Sequence, residues 1–151
     1  MKKKLSNSVL TAREIKTKLR QVFPNTKFKV RSQVFEQGDD AVRITWIDGP
    51  VVARVDEIVK DYCYGFYDYH NDKYVVSNKK KHIPQTKYVS TYRSMSNETE
   101  DKIVALLRKK YPKDCAGKSR NNYISRFNTS MLQLIWREFY DMDLYNSKTG
   151  T

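Results

Sequence analysis

The chain reads as an α+β fold: a four-stranded, mostly antiparallel sheet made from two helix–strand–strand units, followed by two C-terminal helices. Three observations predict this. Residues 27–34 and 87–93 alternate apolar or ring-bearing side chains with polar ones, as strands with two unlike faces do. Apolar residues at three-and-four spacing mark helices before and between these strands. The order helix–strand–strand then recurs before residue 96. Residues 1–96 are therefore assigned to the α+β domain and 97–151 to a helical C-terminal extension. With 151 residues, 39% hydrophobic and 13% aromatic, the chain has enough apolar surface for a core and too much for a disordered segment.

Residues 1–10 read as a frayed arm. Thr11 and Glu14 form a capping box that opens the first helix, with Leu10 and Ile15 placed as a hydrophobic staple. Ile15, Leu19, Val22 and Phe23 form its buried stripe, and Pro24-Asn25 ends it. In the strand that follows, Phe28, Val30, Ser32 and Val34 face one way. Lys27, Lys29, Arg31 and Gln33 face the other. After a turn at 36–40, Val42, Ile44 and Trp46 make the inner face of a second strand, with Arg43 and Thr45 opposite, and the two pair as a hairpin. Pro50 suits the start of the next helix, whose stripe is Val51, Val55, Ile58, Val59 and Tyr62. A tyrosine-rich stretch, a turn at Asn71-Asp72 and a strand from Tyr74 lead to the basic loop Lys79-Lys80-Lys81-His82. Lys87 to Arg93 is the fourth strand. Ser96-Asn97 caps a third helix with the stripe Ile103, Leu106, Leu107 and Tyr111. Residues 112–122 read as a polar linker. Ile124, Phe127, Met131, Leu134, Ile135, Phe139 and Met142 then form a last helix of some five turns.

The charge is +12, from 29 Lys and Arg against 17 Asp and Glu, and the excess sits in the first part: 19 basic against 10 acidic residues before position 97. A basic surface favours polyanions. No apolar run approaches the ~20 residues of a membrane span. Lys2, Lys3 and Lys4 lead into polar Ser6, Asn7 and Ser8 rather than an apolar signal region, so a soluble, cytoplasmic protein is expected.

Residues 10–96 resemble one of the large polyvalent protein-associated domains. The segments that carry the resemblance are Ala12-Arg13-Glu14-Ile15-Lys16, Phe23-Pro24, Lys27 to Ser32, Val42 to Trp46, Asp48-Gly49-Pro50, Lys87-Tyr88-Val89 and Arg93 to Ser96. The run from Phe23 to Pro50 is the most specific, and the segment 70–87 departs from the pattern. The resemblance implies origin in a phage or conjugative element and an accessory, non-enzymatic role with no catalytic residues to carry over. In that setting the expected function is inhibition of a host nuclease-based defence, of the anti-CRISPR type. The partner would be the defence nuclease or its guide-RNA complex. The alternative is a basic DNA- or RNA-binding accessory protein.

Candidate sites follow from residue chemistry. His70, His82, Cys63 and Cys115 fit no zinc spacing, and Cys63 reads as a buried thiol and Cys115 as a loop thiol. Asp68, His70 and Asp72 echo a nuclease site weakly, while turn chemistry explains Asn71-Asp72 more simply. No glycine-rich phosphate loop is present in the sequence. No catalytic, metal or cofactor site is therefore assigned. Polyanion or partner binding has the best residues: Lys27, Lys29, Arg31 and Arg43 on one hairpin face, Lys79, Lys80 and Lys81 in a loop, and the rings of Tyr64, Phe66, Tyr67 and Tyr69. Those rings suit base stacking and suit a protein interface equally. A solvated basic face, with half of the rings in the core, is the plainer alternative.

Overall fold

In the computed structural model, which describes residues 5–78, 80 and 82–145, the first helix starts earlier than the capping box suggests. Helix α1 spans Asn7–Val22, and the Ser6 hydroxyl accepts from the Val9 amide at 3.4 Å. Thr11 lies buried one turn inside, its hydroxyl donating to the Asn7 carbonyl at 2.8 Å, so it is no cap. Glu14 instead accepts from the Tyr62 hydroxyl at 3.4 Å, and Leu10 is exposed, so the staple does not form. A helix-compatible cap five residues upstream simply lengthens the helix. Residues 1–4 of the expected arm lie outside the described residues.

Strands β1 (Lys29–Val34) and β2 (Asp40–Ile47) pair antiparallel, with Val30 opposite Ile44 and Arg31 opposite Arg43. Helix α2 (Val52–Val59) continues into a single tight turn at Lys60–Tyr62. Strands β3 (Gly65–Asp68) and β4 (Lys73–Val76) form a separate ribbon. Strand β5 (Tyr88–Ser94) returns to the main sheet and pairs parallel with β2, Ile44 opposite Thr91.

The main sheet thus has three strands, in the order β1–β2–β5, and not the expected four. One of its two pairings is parallel. A parallel partner needs a crossover connection. Here α2 and the β3–β4 ribbon supply it, and the two halves of the domain are not copies of one unit.

The inner face of this sheet carries Val42, Ile44 and Trp46, all buried in one cluster with Ile15 and Leu19 of α1, Phe23 at its C-terminal cap, and Val55 and Val59 of α2. Because one face is dry, a one-residue slip would expose every one of these side chains, and the register is pinned. The Trp46 indole N–H donates to the Pro50 carbonyl at 3.0 Å, which satisfies its polar atom in the core.

A second apolar cluster follows the sheet. It joins α3 (Asn97–Lys110), the short α4 (Pro112–Cys115) and α5 (Met131–Tyr140) through Ile103, Leu107, Ile124, Met131, Ile135 and Phe139. The expected linker is partly helical, and Cys115 is buried there rather than in a loop. Cys63, by contrast, is only half-buried; its thiol donates to the carbonyls of Gly65 and Lys87, each at 3.1 Å. The expected five-turn last helix is shorter. Residues Tyr123–Ile124 (β6) and Thr129–Ser130 (β7) pair around a tight turn, where Asn128 is left-handed with φ 50°. Helix α5 begins only after Ser130, whose hydroxyl accepts from the Gln133 amide at 3.2 Å.

The turn after β2 ties the two clusters together. Asp48 and Gly49 are both left-handed, with φ of 54° and 56°. Asp48 accepts from the Ser96 amide at 3.0 Å and from its hydroxyl at 2.6 Å. Ser96 in turn caps α3 by accepting from the Thr99 amide at 3.2 Å. Ser96→Ala removes the cap and one partner of Asp48. A loss of about 1–2 kcal/mol in unfolding free energy is expected by urea titration.

Candidate nucleic-acid interface

Strand alternation sets what the solvent face of the sheet displays. Opposite the buried Val42–Ile44–Trp46 row, β2 presents Arg43, Thr45 and Ile47. The register then places Lys29 and Arg31 of β1 on one side of this row, and Tyr88, Ser90 and Tyr92 of β5 on the other. Arg31 lies directly across from Arg43. The Arg43 guanidinium sits 4.4 Å from the centroid of the Tyr92 ring. Two like charges facing each other destabilise a strand pair by a few tenths of a kcal/mol, and the ring beneath Arg43 offsets part of that. Among the described residues, Lys29, Arg31 and Arg43 form no ion pair.

The β3–β4 ribbon extends this face. Gly65 leaves room for the ring of its neighbour: a Cβ there would lie 2.1 Å from the Val75 carbonyl oxygen and 2.6 Å from the Tyr74 ring. Tyr74 is the joint between ribbon and sheet. Its hydroxyl donates to the Lys87 carbonyl at 2.5 Å, and its ring meets that of Tyr88 edge-on at 5.7 Å. Burial above all, with the Cys63 thiol beside it, raises the pKa of the Tyr74 hydroxyl, so it stays a donor. Lys87 pins the same corner, its ammonium 3.0 Å from Asp39 and its amide donating to Asp40 at 2.8 Å. Gly65→Ala is expected to displace Tyr74 and detach the ribbon, read as loss of hydrogen-exchange protection at Gly65–Val76 while β1 and β2 keep theirs.

Tyr67 pairs with Tyr74 across the ribbon, so both rings share one side of it. Tyr69 meets Tyr67 edge-on at 4.8 Å. The pKa of the Tyr67 hydroxyl is raised first by Asp72, which accepts its hydrogen bond, then by desolvation, and in smaller part by the neighbouring Tyr69 and Tyr88. The exposed rings of Tyr69 (87%), Tyr67 (36%), Tyr88 (37%) and Tyr92 (50%) therefore lead from the ribbon onto the basic face of the sheet. Tyr69 is 87% exposed because it sits on the turn, beyond the last ribbon pair.

Of the side chains that sequence chemistry singled out, the structure brings Lys29, Arg31, Arg43, Tyr67 and Tyr69 to this surface. Lys27 lies beyond the start of β1, where it lines an open groove of about 1070 Å³ with Lys16, Lys29, Arg31 and Lys102 over Phe28 and Trp46. Phe66 is exposed but alternates to the other side of the ribbon. Tyr64 is half-buried, edge-on to Tyr74 at 5.9 Å. Lys80 is paired with Asp61 at 2.8 Å, which also lowers that carboxyl's pKa. Lys79 and Lys81 lie outside the described residues. Tyr88 and Tyr92 were not singled out: their alternation was legible in the sequence, but their neighbours depend on a parallel pairing across 40 residues of chain.

The Asp68–His70–Asp72 group is a turn. Asp68 accepts from the amides of His70 and Asn71 at 3.0 and 3.3 Å and from the Asn71 side chain at 2.7 Å. The Asn71 side chain contributes most to holding its carboxyl below the usual range. Asp72 is left-handed, with φ 49°. Among the described residues no three His, Cys, Asp or Glu side chains are grouped to hold a metal. No helix among them is long and apolar enough to cross a membrane. Two further exposed rings, Trp136 and Tyr140, lie on α5.

A family model described as large polyvalent protein associated domain 29 matches residues 6–100, more than half of the chain. The chain belongs to this family. The match runs from the Ser6 cap to the first turn of α3 and so includes the whole basic face, the ribbon and the Asp48–Ser96 link, while α4 and α5 lie beyond it. Membership in the large polyvalent protein associated domain 29 family makes this a phage- or mobile-element-associated protein. No curated protein and no solved structure matches the chain.

Proposed function

We propose that this is a non-enzymatic, nucleic-acid-binding accessory protein of a phage or mobile element, and that the outer face of the β1–β2–β5 sheet is its binding surface. One observation carries the reading. Lys29, Arg31 and Arg43 are held side by side on one exposed sheet face, Arg31 directly opposite Arg43, without an ion-paired carboxylate among the described residues. Such a cluster gains from a polyanion that spans it, because each phosphate both screens the repulsion and releases counterions on binding. The absence of a catalytic role is part of the proposal: Asp68 is engaged by turn amides and Asp72 by Tyr67, which leaves neither carboxylate unoccupied.

Inhibition of a host nuclease-based defence, with the same face set against guide RNA or target strand in the effector, is motivated by the mobile-element setting. No residue on the face singles it out, and direct binding of nucleic acid is the simpler use of the geometry.

The test is salt dependence. Fluorescence anisotropy with a labelled oligonucleotide of ~12 nucleotides should give a slope of log K against log[salt] near −2, from ~0.7 per phosphate at three contacts. Between about 50 and 200 mM salt the affinity should fall by about tenfold or more. No binding at the lower salt, or binding indifferent to salt, contradicts the reading.

A further inference from the structure

We infer that the ligand of this face is single-stranded nucleic acid, held by its bases on the tyrosine rings, rather than duplex. The inference rests on the nucleic-acid reading above and narrows it. A duplex presents phosphates on its outside and hides the faces of its bases, so it would engage Lys29, Arg31 and Arg43 and leave the rings beside them unused. A single strand presents both. Sheets that bind single strands do so by stacking splayed bases on exposed rings and on guanidinium planes, with basic side chains tracking the backbone.

The available platforms are specific. Tyr69 is the most exposed ring of the molecule's large hydrophobic side chains. Tyr88 stands next to the ribbon, its ring edge-on to Tyr74 at 5.7 Å and with the Lys87 ammonium 5.4 Å from its centroid, yet it stays exposed, unlike the enclosed Tyr74. Tyr92, four residues further along β5 and ~13 Å away, carries Arg43 at 4.4 Å over its ring. The exposed surface there is the guanidinium plane, with Tyr92 as its support, and a base stacks on Arg43 rather than on Tyr92 itself. Tyr74 offers no free face: Tyr64, Tyr88 and the Lys87 ammonium at 5.0 Å surround its ring. The row Tyr69–Tyr88–Arg43 runs from the ribbon onto the sheet, with Arg31, Lys29 and the N–H edge of Arg43 to take the phosphates.

The experiment compares a ~12-nucleotide single strand, as DNA and as RNA, with a duplex of the same length, at fixed salt, on the full chain. A single strand of either kind should bind at least tenfold tighter than the duplex. Preference for DNA or for RNA supports the inference equally, since stacking needs only a base face. Tyr88→Ala with Tyr92→Ala should cost tenfold or more on the single strand and far less on the duplex, which keeps Lys29 and Arg31, whereas Tyr92→Phe should keep wild-type binding. Tyr69→Ala, at a turn position that packs least against the fold, keeps the test valid if the double variant loses its circular dichroism spectrum. It too should weaken only the single strand. If the duplex binds as tightly and Lys29→Glu with Arg31→Glu abolishes both, the nucleic-acid reading stands and this inference falls. If neither ligand binds, both fall.

Discussion

Arg93→Ala should destabilise the protein by about 3 kcal/mol or more, measured by urea unfolding followed by tryptophan fluorescence. Arg93 belongs to the inner side of β5, out of phase with Tyr88 and Tyr92. Its Nε donates to the Asp48 carbonyl at 2.6 Å. One Nη donates to the Gly49 and Met142 carbonyls at 2.9 and 2.7 Å, and the other to Phe139 at 3.0 Å. The Phe139 ring lies 4.0 Å from the guanidinium carbon. Two of these carbonyls stand at the C-terminal end of α5, where a positive charge is favourable; that of Phe139 also accepts from the Met142 amide at 3.0 Å. One planar fork thus closes the turn after β2 and the end of the last helix at once. Burial pushes the pKa of the guanidinium down, with Asp48 and Asp143 opposing, and arginine starts high enough to stay charged. Alanine would leave the Asp48 and Met142 carbonyls short of a donor, while those of Gly49 and Phe139 keep the amides of Leu144 and Met142, each at 3.0 Å. Arg93→Lys should recover less than half of the loss, because an ammonium cannot reproduce the fork. Neither variant removes a residue from the outer face, so nucleic-acid affinity should be unchanged where the protein is folded.

The second large effect has the opposite character. Lys29→Glu with Arg31→Glu should weaken oligonucleotide binding at least tenfold, about 1.4 kcal/mol, and flatten the salt slope by about 1.4, since two phosphate contacts are lost. Both side chains are exposed, and the half-buried Phe28 and Val30 that pack on the core are untouched. A glutamate at 31 would face Arg43 across the hairpin and replace a repulsive pair with an attractive one. Stability should therefore hold or rise by a few tenths of a kcal/mol while binding falls. Loss of stability together with binding would assign these residues to the fold instead.

What could be read from the sequence depends on how local its cause is. The β1–β2 hairpin and its basic face were legible because alternation over eight residues decides which side is dry, and a short turn joins the two strands. The pairing of β5 with β2 was not. It is parallel and long-range, and nothing in Tyr88–Ser94 distinguishes a partner in β2 from one in β4. The same gap hid Tyr88 and Tyr92 as neighbours of Arg43. At the ends of helices, competing local signals decided the outcome. Thr11 with Glu14 satisfies the capping-box pattern, yet Ser6 caps first and the box falls inside the helix. The apolar spacing from Ile124 to Phe139 is genuine, but Asn128 takes a left-handed conformation and interrupts it. The Ser130–Gln133 spacing that marks the true start was present in the sequence.

Nucleic acid is expected to land on the outer face of the β1–β2–β5 sheet. Titration of a ~12-nucleotide single strand into isotope-labelled protein, followed by backbone amide shifts, tests it most directly. The largest changes should fall at Lys29–Arg31, at Arg43 and Thr45, and at Tyr88–Tyr92, with the amides of α1 and α5 quiet. Changes concentrated at Trp136 and Tyr140 of α5, with the basic strands unmoved, would contradict it.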